Sequence, residues 1–268
     1  MSRAIINGLR RSWRTDLFTA EAWQNDPGAT FNPGEAGGYR VLTASAPYGA
    51  YLKPTRVCDD DNPRAANEKI VADLAFELGF SVPPVLLYRR PAPPAGEETR
   101  CCLSLVMYPE QYEWGLLWDI SGLSVPVRAI IRGSISRYSD TLALDLLIGQ
   151  TDRNNARNVI LGVDGMDLAD SAFLFLDHAY TLNYGNRWSG VGWQNIDMVP
   201  IPQLFRDSLT GGRVREGAGK IAALSDETVA GIVQRIPDDY MTATHKNIVI
   251  AGLIGRKARI PDFVARNF

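Results

Sequence analysis

Histidine and cysteine are scarce in this chain, with two of the first and three of the second among 268 residues. Three thiols, Cys58, Cys101 and Cys102, cannot build the paired framework of a small secreted domain. His178 and His245 with so few thiols leave no ligand set for a structural zinc. No run approaches the roughly 20 apolar residues of a bilayer span. The N-terminus lacks the apolar core of a signal peptide, so the chain reads as cytoplasmic. An excess of one charge is also missing: 28 basic side chains face 30 acidic ones, for a net charge of −2. That balance argues against broad nucleic-acid binding and gives no strong membrane signal. The mildly basic start (Arg3, Arg10, Arg11, Arg14) is diluted by Trp13, Asp16 and Leu17 and reads as a solvated helix face.

What the chain does have is ordinary globular composition, 46% hydrophobic and 22% charged, at a length that suits one large domain or two small ones. Repeats and low-complexity tracts are lacking. A short helix is expected over residues 4–13, followed by a Gly- and Pro-rich stretch, 32–38, that suits no regular structure. Residues 39–43 and 50–53 flank a Pro47/Gly49 turn and read as a hairpin. Asn62 before Pro63 is a helix start, an N-cap ahead of proline at the first helical position. Ile70, Val71, Leu74 and Leu78 then recur at helical spacing up to Gly79, a suitable C-terminal cap. Strands are expected at 85–88 and 101–107, separated by a proline-rich loop. In the second strand alternation sends the adjacent thiols of Cys101 and Cys102 to opposite faces.

Beyond Pro109 the pattern changes. Ser139 is placed to cap a helix whose Leu142, Ala143, Leu146 and Leu147 share a face and which ends at Gly149. A polar loop, 151–158, leads into a second hairpin of strands 159–161 and 173–176, with Asp177 at its exit. Helices are expected at 200–207, 226–236, 238–254 and 260–267. Strands first and helices later is an α+β order, and a lobe boundary falls near Tyr108, dividing 1–108 from 109–268.

Three constellations could do chemistry. Lys53 ends a predicted strand, and Glu68 lies early in the following helix, from where a carboxylate could reach back and hold a lysine pointing at phosphate. Either alone reads more simply, Lys53 as a surface lysine and Glu68 as an acid favouring the helix dipole. The loop Asp152-Arg153-Asn154-Asn155-Ala156-Arg157-Asn158 offers an acid followed by amides before a strand, a pattern that serves phosphoryl transfer, although such loops are usually just turns. Asp177 is a carboxylate at an abrupt strand end, a hard oxygen ligand that suits magnesium. Its neighbour His178 reads as a packing or turn residue.

Taken in order, these segments resemble a known family. Lys53, then Ala66-Asn67-Glu68 opening a helix that runs through Leu74-Ala75-Phe76-Glu77-Leu78-Gly79 to Val82-Pro83-Pro84, resembles the N-lobe of HipA-like kinases. Leu146-Leu147-Ile148-Gly149-Gln150-Thr151-Asp152-Arg153-Asn154 resembles the catalytic loop of HipA-like and phosphatidylinositol-kinase-like proteins. Phe175-Leu176-Asp177-His178-Ala179 resembles their metal-binding segment. The likeness spans residues 34–185.

The resemblance implies a two-lobed protein-kinase-like fold, with a small β-rich N-lobe carrying one regulatory-type helix and a mainly helical C-lobe, using ATP and Mg²⁺. By position, Lys53 would contact the ATP phosphates, Glu68 would pair with it, Asp152 would be the catalytic base and Asp177 a metal ligand. Adenine would lie along the backbone of Val106, Met107 and Tyr108, and Gly37 and Gly38 would let a loop approach the phosphates. One departure stands out: the family's metal-binding Asn follows the Asp by five residues, where this chain has Arg157. Asn158, one later and directly before the strand, is the expected ligand through a one-residue insertion, with Asn155 as the alternative. The implied reaction is phosphorylation of a protein Ser or Thr hydroxyl. A lipid or small-molecule acceptor, to which Arg187, Trp188 and Trp193 leave room, AMP transfer, and a catalytically weak pseudokinase acting as a nucleotide-binding interaction module stay open.

Overall fold

Alternating apolar residues in the first part of the chain give a sheet that is buried on both faces at residues 85–88 and 101–105 and more exposed at residues 24–25 and 39–42. The computed structural model describes residues 15–28, 39–44, 46, 49–56, 63–113, 138–153, 155–163, 172–182, 191–199, 201 and 209–268. Expectations that fall on residues 4–13, Gly37, Gly38, Cys58, Asn62, Asn154, Arg187, Trp188 and most of 200–207 lie outside the described residues. Strands β1 (Gln24–Asn25), β2 (Tyr39–Leu42), β3 (Ala50–Arg56), β4 (Val85–Arg89) and β5 (Glu97–Leu105) form an antiparallel sheet in the order β1-β2-β3-β5-β4. Strand β5 starts four residues before the sequence pattern predicts and ends before Met107. Lys53 and Leu87 are both register partners of Cys102.

Period-2 alternation divides the sheet between two cores. Cys102, Val85 and Leu87 join the core beneath helix α1 (Arg64–Leu78), whereas Cys101, Leu103, Leu86 and Leu52 pack on the other face with Val41 and Met107. The adjacent thiols therefore do point to opposite faces, and both are buried. Helix α1 begins at Arg64 with Pro63 in the cap position, so Pro63 stands just outside the first turn. It ends at Gly79, with Phe80 N–H donating back to Ala75 O at 2.8 Å.

A second sheet, β6 (Glu110–Glu113), β7 (Val159–Val163) and β8 (Ala172–Phe175), carries the predicted second hairpin plus an edge strand that its polar sequence, Glu-Gln-Tyr-Glu, conceals. Helix α2 (Tyr138–Ile148) starts before Ser139, which is buried within its first turn. Ser139 thus caps no N-terminus of its own; its hydroxyl accepts from Thr210 N–H at 3.1 Å. Helices α3 (Gly211–Ala223), α4 (Asp226–Gln234) and α5 (Ala243–Asn267) complete the fold. Glycines 211, 212, 217 and 219 hide α3 from propensity reasoning, yet Val214, Gly217, Ala218 and Ile221 bury one stripe of it. The predicted helices at 238–254 and 260–267 are one helix that starts later, at Ala243, and runs through Pro261. Among the described residues no helix is long and apolar enough to cross a membrane.

The open edge of β4 is covered twice. Residues 17–19 run alongside it, with Leu87 N–H donating to Leu17 O at 2.8 Å. The turn between α4 and α5 also reaches it: Tyr240 Oη donates to Tyr88 O at 2.9 Å, Asp239 pairs with Arg89 at 2.8 Å, and Phe18 meets the Tyr240 ring edge-on at 5.9 Å. Covering an edge in this way removes a template for unwanted strand pairing.

Residues 106–109 connect the two sheets, and the Tyr108 ring lies over Gly162 of β7, where an added Cβ would sit 2.1 Å from Cδ2. Gly162→Ala should therefore force the ring or strand aside and cost about 1–3 kcal/mol, a fall in melting temperature of roughly 2–10 °C by thermal unfolding. An unchanged melting temperature would contradict this packing.

Candidate active site

Lys53 leaves β3 on the α1 side of the sheet, and its Nζ donates to Glu68 Oε1 and to Asp177 Oδ1, the latter at 3.3 Å. Burial alone would depress the ammonium, but the Asp177 and Glu68 charges outweigh it and hold Lys53 above its ordinary range. Glu68 sits in the first turns of α1, where Ile70, Val71 and Leu74 bury the helix and carry the carboxylate inside with them. Burial would raise its pKa; Lys53 and His178 overcome that and lower it to about 2.

Helix α2 is buried on every described side, and its C-terminus delivers the loop that follows. Gly149 has φ +69°, and a Cβ there would lie 2.8 Å from Arg256 Nη1, so the turn needs glycine for both backbone and space. Arg256 donates to Leu146 O, Trp193 O and Gly192 O at 2.9, 3.0 and 2.6 Å, closing the negative end of α2 with a cation. Burial, with Arg259 nearby, pulls its pKa down to about 10.

Asp152 follows. Its backbone N–H donates to Gln150 Oε1 at 2.9 Å, and Gln150 Nε2 donates to Asp177 O at 2.9 Å, so one buried amide spans both acidic segments. Asn158 Nδ2 donates to Asp152 O at 3.0 Å and to Asp152 Oδ2 at 2.9 Å. A 3₁₀ turn, Ala156–Asn158, leads from the loop into β7. Asn155 caps that turn, its Oδ1 accepting from Arg157 N–H at 3.2 Å, and Arg157 points outward to Glu113 of β6. Asn158 thus brings its side-chain amide against Asp152, whereas Asn155 reaches Asp152 O only through its backbone N–H, at 3.1 Å.

Asp177 leaves β8 with φ +56°, a conformation that costs a non-glycine residue about 1–3 kcal/mol and persists only where the surroundings impose it. The next residues are pinned to α1: His178 N–H donates to Glu68 Oε1 at 3.1 Å, and Asn67 Nδ2 donates to Ala179 O and Thr181 O at 3.0 and 3.1 Å. His178 Nε2 lies 3.3 Å from Arg153 Nη2. Arginine can only donate, so this nitrogen must be the lone-pair one and Nδ1, 3.6 Å from Glu68 Oε2, carries the proton. Burial, opposed by Glu68 and helped by Arg153, lowers the His178 pKa and keeps the ring neutral.

Arg153 points inward. Its Nε and Nη2 bind Asp145 Oδ2 and Oδ1 at 2.9 and 2.8 Å, and its Nη1 binds Asn158 O and Leu176 O at 2.8 and 3.0 Å. Burial opposes its charge, and Asp145 more than restores it, so its pKa is raised. Val106, Met107 and Tyr108 are all buried, and Val106 N–H donates to Gly49 O at 3.0 Å. The structure thus gathers Lys53, Glu68, Asp177, Asp152 and Asn158. Gln150, Arg153, Asp145 and Asn67 escaped the sequence reading. Asp145 had a signal: it lies on the same helical side as Tyr138 and Leu142, where a carboxylate needs a partner.

A sheet-rich first part, a helical second part, and a strand lysine paired with a helix carboxylate make up the two-lobed kinase-like fold. Within that class the chain is similar to the crystal structure of a proinflammatory kinase from Helicobacter pylori, CtkA, with a TM-score of 0.62 over 93% of this chain and 96% of that one, at 14% sequence identity. No protein-family model and no curated protein matches the sequence.

The depressed Glu68 pKa carries a pH signature. Because the folded value lies below the unfolded one, the stability it contributes is complete above about pH 4.5 and is lost as the pH falls toward 2, on the order of 3 kcal/mol in all. Urea unfolding between pH 5.5 and 3 should show a smaller acid loss for Glu68→Gln than for the wild type. Parallel curves would mean that Glu68 is not held in this pairing.

Proposed function

We propose that the chain is an ATP- and Mg²⁺-dependent phosphotransferase of the HipA-like, phosphatidylinositol-kinase-like branch, acting on a Ser or Thr hydroxyl of a protein. The observation that carries this reading is the convergence of Lys53 on Glu68 and Asp177 beside an Asp152 held by Asn158. Kinase-fold phosphoryl transfer needs these parts: a cation on the phosphates, an acid for the acceptor, and oxygen ligands for metal.

The donor set fits magnesium. Asp177 offers a carboxylate oxygen, and Asn158, whose Nδ2 is committed to Asp152, has its amide oxygen left for a cation. Magnesium is commonly held by one or two protein oxygens together with substrate phosphates. When bound, Mg²⁺ neutralises charge on the phosphoryl oxygens. Lys53, kept protonated by its two acidic neighbours, binds and orients the phosphates. Asp152 receives the acceptor hydroxyl proton on its carboxylate, oriented by Asn158. That proton leaves late in a loose transition state, so the position of Asp152 matters most.

A pseudokinase reading draws on the displaced Asn; the contact between Asn158 and Asp152 is what favours activity over it. Incubation with γ-labelled ATP and Mg²⁺, alone and with a lysate, tests the reading, with intact mass separating phosphate from AMP addition. Label is expected on a protein acceptor or on the chain itself; lipid labelling alone would move the acceptor class. ATP·Mg²⁺ should also raise the melting temperature, since a ligand for the native state stabilises it. No shift at millimolar ATP and no label would end the proposal.

The variants should separate by role. Lys53→Met should stay folded and lose transfer. Asp177→Asn should lose transfer and weaken nucleotide binding. Asp152→Ala should lower turnover by about 10²–10⁴ with ATP affinity nearly unchanged. A fully active Asp152→Ala protein would remove it as the base.

A further inference from the structure

Arg153 follows Asp152 in sequence yet is turned into the interior and is 1% exposed. An arginine beside a candidate base would ordinarily be read as a phosphate or substrate contact. Burial makes that impossible here, and the donor count says what it does instead. A guanidinium has five N–H groups in one rigid plane. Each is engaged: two on Asp145 of α2, one on Asn158 O, one on Leu176 O, and one on His178 Nε2. Phe175 adds its ring face 5.2 Å from Cζ.

Those partners come from separate stretches of chain. Asp145 belongs to the helix that delivers the loop. Asn158 is the residue whose side chain holds Asp152. Leu176 and His178 flank Asp177 on either side, and Leu176 N–H in turn donates to Asn158 O at 2.9 Å. Because the guanidinium is planar, fixing it on Asp145 fixes the directions in which the other carbonyls must lie. A lysine at this position could neutralise Asp145 but could not span the remaining acceptors.

We propose that Arg153 is a positioning residue that sets the separation of the Asp152 loop from Asp177 and touches neither substrate nor nucleotide. Its effect on rate rests on the phosphotransfer reading above; its effect on the Asp177 segment rests on geometry alone. The two can therefore fail separately.

The test uses the full chain with Arg153→Lys and with the paired change Asp145→Leu plus Arg153→Met, and Arg157→Lys, which faces Glu113 at the surface, as a control. Replacing a buried ion pair by apolar groups of similar volume often keeps or restores stability, so the double variant separates folding from positioning. The melting temperature of the double variant should stay near the wild-type value. Hydrogen exchange of ligand-free protein should then quicken about tenfold or more in peptides covering residues 175–182, with the β4 and β5 peptides unchanged. Turnover should fall about a hundredfold or more, with KM for ATP within about threefold. A merely structural arginine predicts recovery of exchange and turnover along with stability, and that outcome would overturn the proposal. If the double variant does not fold, Arg153→Lys is read by the same exchange and rate measurements, with wild-type values for both overturning it. If the wild type transfers no phosphate, the phosphotransfer reading falls, while the exchange comparison still decides on Arg153.

Discussion

A guanidinium and a carboxylate taken out of water lose several kcal/mol of hydration each, and their attraction returns that only if every remaining polar atom finds a partner. The Arg153–Asp145 pair, fully shielded from solvent, imposes this condition on everything around it. The carbonyls of Asn158 and Leu176 face inward because the arginine requires acceptors there. His178 adopts one tautomer because the same arginine leaves it only a lone pair to offer. Loops normally lie on surfaces, since buried backbone must be satisfied; here an interior cation satisfies it. The backbone of Asp177 can then hold a left-handed conformation that its own preferences disfavour.

Helix α1 obeys the same rule at larger scale. It carries Asn67, Glu68, Lys69 and Asp73 on buried positions. The end nearer the cleft is spoken for by Lys53 and the residues after Asp177. Further along, Lys69 donates to Asp16 O at 2.7 Å and pairs with Asp73 at 2.9 Å, and Asp73 accepts from Arg235 at 2.6 Å. Burial pulls Lys69 down and pushes Asp73 up against this mutual pairing. Rotation of the helix would strand several charges at once, so its inward position is held by polar partners as well as by apolar packing.

The sequence made the apolar skeleton legible and left the polar interior mostly hidden. The β2–β3 hairpin, α1 with its glycine stop, and the β7–β8 hairpin follow from period and turn chemistry. The pairing of Lys53 with Glu68 was expected from their order in the chain together with the family resemblance, and the structure brings the two together. Helix α3 went unseen because glycine propensity outweighed a short apolar stripe, and β6 because its residues are polar. Gln150 and Arg153 could not be read as buried, since long polar side chains are by default on the surface; only the tertiary fold decides which of them has enough partners to go inside. Asp145 also went unread, although as an acid on an apolar helix side it carried a signal.

The turn between α4 and α5 gives the molecule an unusual mechanical character. Two bodies joined by one linker swing like covers on a spine. In this chain residues 106–109 are the spine, Tyr240 on Tyr88, Asp239 on Arg89 and Arg235 on Asp73 form a second seam at a separate place, and the bonds from Lys53, Asn67 and Glu68 to residues 177–181 form a third. A body fastened along three lines resists swinging about any one. Wide opening therefore carries the toll of parting these seams together. The last two helices are thereby part of the frame that holds the sheet region in place.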